Sequence, residues 1–88
     1  MFENLKLPQD IQCGMVLPAQ NRADMLRLAP RMEVAGFDSI WVGDHVSFYI
    51  PLLESLTALT FVSAITERVR LGTSVYLLPL RHPTPVAK

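Results

Sequence analysis

A single cysteine, Cys13, stands among 88 residues. No internal disulfide can therefore form, and there is no CxxC or Cys/His spacing to hold zinc. Cys13 is expected as a small buried apolar side chain in a strand. An excess of one charge is missing too. Eight Lys and Arg balance eight Asp and Glu, for a formal net charge of 0, which excludes the positive field of a nucleic-acid binder. No apolar run reaches the ~18 residues a membrane span needs. The N-terminus, MFENLKLPQD, lacks the basic patch and apolar stretch of an export signal. The expected setting is reducing and cytoplasmic, without membrane or nucleic-acid partners. Neither a GxGxxG nor a P-loop pattern occurs.

What the chain has in quantity is apolar surface. Half of its residues are hydrophobic and only 18% are charged, with a mean hydropathy of +0.28. A chain this short buries only about 60–65% of the surface its unfolded form exposes. Either something outside these residues covers the remaining apolar surface, or the chain is adhesive.

Residues 1–10 read as a loosely ordered arm. IQCGMVLP, closed by Pro18, predicts a buried strand over about 11–17. A helix follows over about 22–35, with Asn21 as N-cap, Asp24 in the first turn and Gly36 as stop signal. Met25, Leu28 or Ala29, and Met32 share its apolar face. Pro30 removes one backbone donor and crowds the carbonyl of Leu26, so a kink rather than two helices is expected. FDSIWVG predicts a strand over about 37–43. Its consecutive Ile40, Trp41 and Val42 suggest cover on both faces, with Trp41 in the core and its indole N–H needing a partner. A second helix is expected over about 51–67 with Pro51 in its first turn. Its apolar residues occupy most of the circumference, as in a helix buried on several sides. A third strand spans about 69–77, and a third helix starts over 84–88 with Thr84 as cap and Pro85 at the first position.

The alternation of strand and helix predicts an α/β fold with a parallel sheet built from βαβ units. Three such strands form either an open sheet or an arc of a barrel, and periodicity does not separate the two. The chain stops one turn into its last helix, as a piece of a larger domain would.

Asp44 and His45 leave the second strand side by side. One reading is a strand-end active site, since imidazole titrates near working pH and a neighbouring carboxylate can hold the ring or favour its charged form. The other is a polar turn, with Asp44 accepting backbone N–H bonds and His45 solvated. A third makes the pair metal ligands of a barrel hydrolase, though no further His or acid cluster accompanies them. Gly72, inside a strand, marks either a bulge or a position where a Cβ would clash. His82, beside Pro83, reads as a helix-entry residue, and Arg81 is available to an anionic ligand. Met15, Met25 and Met32 read as core filler.

GFDSIWVGDHV, AITERVRLGTSV and LPLRHPTPVAK, in that order and spacing, resemble the N-terminal part of the bacterial-luciferase-like oxidoreductases, over about residues 11–88. The resemblance implies a βαβαβ segment of a (β/α)8 TIM barrel, which takes ~250 residues when complete. It implies FMN or F420 as cofactor, a small organic substrate and a possible homo-oligomer. It places His45 in proton transfer, and Asp44, Thr73, Ser74 and Val75 beside the cofactor, with a non-prolyl cis bond between Ser74 and Val75. The segment alone is expected to be inactive. The competing expectation is a non-catalytic βαβαβ module that binds itself or a partner through apolar faces.

Overall fold

A computed structural model describes residues 10–88; the N-terminal arm expected over residues 1–10 lies almost wholly outside them. Three short strands, β1 (Gly14–Val16), β2 (Ser39–Val42) and β3 (Arg70–Thr73), form one parallel sheet in the order β1-β2-β3. Helices α1 (Arg22–Val34) and α2 (Ser55–Ile65) connect them. A single 3-10 turn (Leu78–Leu80) and α3 (Pro83–Ala87) follow. The architecture is α/β, a parallel βαβαβ segment as expected. No helix among the described residues is long and apolar enough to cross a membrane.

Alternation along β2 sets the two faces of the sheet. Ile40 and Val42 are buried beneath the helices, where Leu17, Met25, Ala29, Ala58 and Val62 complete the core. Ser39 and Trp41 point the other way, and Trp41 is 38% exposed. The expectation of cover on both faces, with Trp41 in the core, is therefore corrected. Both helices pack on one face, and no described element lies over the other. Leu56 is likewise exposed on α2, the helix expected to be buried on several sides.

Several boundaries differ from the sequence expectation. β1 spans three residues rather than 11–17, and Cys13, just before it, is exposed rather than buried. Two hydrogen bonds join that segment to the residue before β2: Asp38 N–H donates to Cys13 O, and Cys13 N–H donates to the Asp38 carboxylate, each at 2.8 Å. α2 begins at Ser55, not Pro51. The Glu54 carboxylate caps it by accepting from Thr57 N–H and Thr57 Oγ1, both at 2.8 Å, while Leu53 N–H is held by Ala19 O. β3 stops at Thr73, because after Ser74 N–H donates to Val42 O the chain turns into the loop of residues 75–77. α3 starts at Pro83 with His82, not Thr84, as its cap: the imidazole Nδ1 accepts from Thr84 N–H at 3.2 Å. The helix-entry role read for His82 is the one it occupies.

α1 runs unbroken through Pro30. Its cap is reciprocal: Asn21 Oδ1 accepts from Asp24 N–H, and Asn21 Nδ2 donates to the Asp24 carboxylate. At its other end Gly36 takes φ +100°, a region closed to most L-residues. Gly36→Ala is expected to lower stability by about 1 kcal/mol, read as a shift of the urea midpoint at unchanged slope.

The strand-start end of the sheet is fastened by Glu33. Its carboxylate accepts from the backbone N–H groups of Glu67, Arg68 and Val69, and the Arg68 guanidinium donates to the carbonyls of Glu33 and Phe37 at 2.9 Å. The Val69 and Arg68 amides, foremost, hold the Glu33 carboxyl below its ordinary value.

Candidate functional site at the strand tips

Parallel strands bring their C-terminal ends to one edge, and here Gly43, Asp44 and His45 meet Ser74 and Val75. The meeting is set by register: Val42 pairs with Thr73, and Ser74 N–H donates to Val42 O at 2.9 Å. The peptide bond between Ser74 and Val75 is cis. Thr73 is half-buried, whereas Ser74 and Val75 are exposed.

Asp44 and His45, adjacent in sequence, serve opposite sides of this edge. Asp44 is buried, and its carboxylate is fully engaged. Arg81 donates to both oxygens at 2.8 and 2.9 Å, and Leu77 N–H donates to Oδ2 at 2.8 Å. Burial alone pushes the Asp44 carboxyl up; the Arg81 guanidinium and the Leu77 amide outweigh it, so its pKa lies below the ordinary 3.8. Arg81 also lies 3.7 Å from Glu54 and stacks its guanidinium 4.9 Å from the centre of the Tyr76 ring. Asp44 thus clasps the loop after β3 to the loop after β2. It does not hold the His45 ring.

His45 instead folds over Gly43. A Cβ placed on Gly43 would lie 3.1 Å from His45 Nε2 and 3.9 Å from the Ser74 carbonyl oxygen. The imidazole and that carbonyl therefore approach the same small space from the tips of two strands. Phe48 stacks on the imidazole, with centroids 4.2 Å apart and planes 24° apart, and Tyr49 leans on Phe48. The ring is exposed on its remaining side.

The structure thus gathers His45, Ser74 and Val75, leaves Thr73 just below them, and turns Asp44 away toward Arg81. Among the described residues no three His, Cys, Asp or Glu side chains come together as a metal site, so the metal-hydrolase reading finds no third ligand there. Sequence reasoning missed Phe48 as the partner of His45. A signal for it existed in an aromatic three residues after the histidine. Arg81 was read as free for an anion, because nothing in its spacing from Asp44 reports their ion pair.

The model of the luciferase-like monooxygenase family matches residues 5–88. Over 63 residues, 70% of this chain, the sequence is 38% identical to a 4-hydroxyprotoasukamycin monooxygenase of Streptomyces nodosus subsp. asukaensis, of which the match covers 17%. Over 87 residues, 99% of this chain, it is 33% identical to a putative coenzyme F420-dependent oxidoreductase of Mycobacterium tuberculosis, of which 23% is covered. No solved structure matches the sequence significantly. The chain spans about a fifth of the length of these curated relatives. A family match that omits only the first four residues, on a sheet of the right kind, makes this chain a member of the luciferase-like monooxygenase family.

Proposed function

We propose that the whole protein is a cytoplasmic oxidoreductase that acts on a small organic substrate with reduced F420 or FMN, and that this chain supplies the first three strands of its barrel. The juxtaposition of the His45 imidazole and the Ser74 carbonyl over Gly43 supports this most directly. In barrels of this kind the chemistry sits at the C-terminal ends of the strands. The residues present fit a planar ring. Gly43 offers backbone without a Cβ beside the Ser74 carbonyl, the Ser74–Val75 peptide is exposed, and no described element covers the sheet face below. When bound, such a ring supplies hydride or activates oxygen. His45 would move a proton at its Nε2, Phe48 would hold the imidazole plane, and the backbone at Thr73, Ser74 and Val75 would help hold the ring. Asp44 acts as a positioning residue through Arg81 and Leu77.

F420 is the cofactor to test first, because the relative matched over nearly the whole chain is described as F420-dependent. Titrating the complete enzyme with F420 and with FMN, followed by fluorescence quenching, is expected to show saturable binding of one of them. Binding of neither would sink the proposal.

The chain on its own offers three strands of the eight that enclose such a ring. As an isolated 88-residue polypeptide it is expected to show no steady-state turnover; measurable turnover would refute this. The alternative of a self-associating module has one observation in its favour: Val16, Trp41 and Leu56 stand exposed on the sheet and on α2. Sedimentation of the isolated chain is expected to show association that rises with concentration. A strictly monomeric chain that still bound F420 or FMN tightly would remove that alternative.

A further inference from the structure

Side chains on a strand normally stand off the sheet, but the Trp41 indole lies along it. Its Nε1 edge reaches over β1, where a Cβ on Gly14 would sit 2.5 Å away. Its six-membered ring reaches over β3, where a Cβ on Gly72 would sit 2.6 Å from Cζ3. Backbone atoms approach the ring on both sides because residues 14 and 72 have no side chain. The indole N–H donates to Ser39 Oγ at 2.8 Å, which satisfies its one polar group and fixes the ring's direction. The outward face of the indole is left uncovered. Val16, paired with Trp41 in register and 65% exposed, extends the same apolar surface across β1.

Trp41 and Gly43 share this face, two residues apart, which on a strand is about 6–7 Å. An apolar shelf therefore lies directly beneath the space where His45 and the Ser74 carbonyl converge. Polar groups form the rim, and at the base the indole N–H is spent on Ser39 Oγ. We infer that Trp41 is the floor of the ring-cofactor cavity, the residue that sets how deep a planar heterocycle seats between the strand tips, with Gly14 and Gly72 as its bed. The inference rests on the ring-cofactor reading above and adds a steric determinant to it. Phe48 orients the imidazole from the side, whereas Trp41 acts from below.

The steric bed makes the inference testable by coupling. Trp41→Phe, Gly72→Ala and the double variant are made in the complete enzyme and titrated with F420 and FMN, with a thermal midpoint taken for each. Trp41→Phe lowers the floor, and Gly72→Ala lifts the indole by placing a methyl under it. Each is expected to weaken binding of the ring roughly three- to tenfold. The double variant is expected to regain part of that loss, since the smaller phenyl ring leaves room for the methyl. Wild-type affinity in both single variants would overturn the inference, as would losses that simply add. Either result would mean that only side chains of the barrel interior cover Trp41. Should Trp41→Phe not fold, Val16→Ala trims the same shelf without touching the packed face, and unchanged affinity there overturns the inference equally. Wild-type enzyme that binds neither ring defeats the cofactor reading itself and this inference with it; wild-type binding with indifferent variants defeats this inference alone.

Discussion

Replacing His45 by alanine is expected to lower turnover of the complete enzyme by about 10²- to 10⁴-fold, the usual contribution of a positioned general acid or base. Its thermal midpoint is expected to stay within a few degrees of wild type, since exposed side chains outside structural networks contribute little to stability. The imidazole is exposed and makes no side-chain hydrogen bond to a described residue; its described ring contact is the stack on Phe48. Removing it deletes a chemical group while leaving the core intact. The measurements are steady-state kinetics with saturating reduced cofactor and a parallel melt. Unfolding of the variant would show the histidine to be a structural part. Full activity would show that it lies beside the chemistry without taking part. Phe48→Ala belongs in the same series: the imidazole loses its described neighbour and kcat should fall, by less than in His45→Ala.

Replacing Asp44 by alanine should have the opposite signature, with stability falling first. The change strips the Arg81 guanidinium and the Leu77 N–H of their shared acceptor. Removing one member of a fully buried pair costs about 3–5 kcal/mol. Arg81 keeps 29% exposure and can turn toward water, so about 1–3 kcal/mol is expected here. Asp44→Asn keeps one acceptor oxygen and should lie between wild type and alanine. Acid provides an independent check. The folded-state pKa of Asp44 is lowered, so the clasp contributes fully above the unfolded value near 3.8 and is lost as pH falls through the lower folded value. The alanine variant should therefore show a shallower loss of stability than wild type below about pH 4. Parallel curves across that range would mean that the clasp does not form in solution.

The kind of fold was legible because its causes are local. Asn21 and Asp24 announce a helix start, Gly36 a stop, and the apolar runs over about 11–17 and 37–43, too short for helices and bounded by Pro18 and Gly43, read as strands. The ends of elements were less legible, because tertiary bonds decide them. Nothing in PLLESLT says that Leu53 N–H will be taken by Ala19 O, which leaves Glu54 rather than Pro51 to open the helix. Exposure was misread for a related reason. Trp41 and Cys13 are apolar enough to be buried, yet one of them lies on the uncovered sheet face and the other just ahead of β1. At the tips, Asp44 and His45 were visible as a pair, but their divergence was not. Adjacent side chains on an extended chain point to opposite sides, but whether the chain stays extended past Val42 is decided by the loop bonds to Leu77 and Arg81. The chance of an Asp44–Arg81 pair, 37 residues apart, cannot be read without the register of β2 against β3.

Glu33 fastens residues 67–69 at the far end of the sheet from His45. The fastening carboxylate and the proposed proton-moving imidazole are therefore separate groups, at opposite ends of three short strands. A change in the loops after β2 and β3 leaves the Glu33 bonds untouched, and loss of those bonds leaves the strand-tip contacts in place.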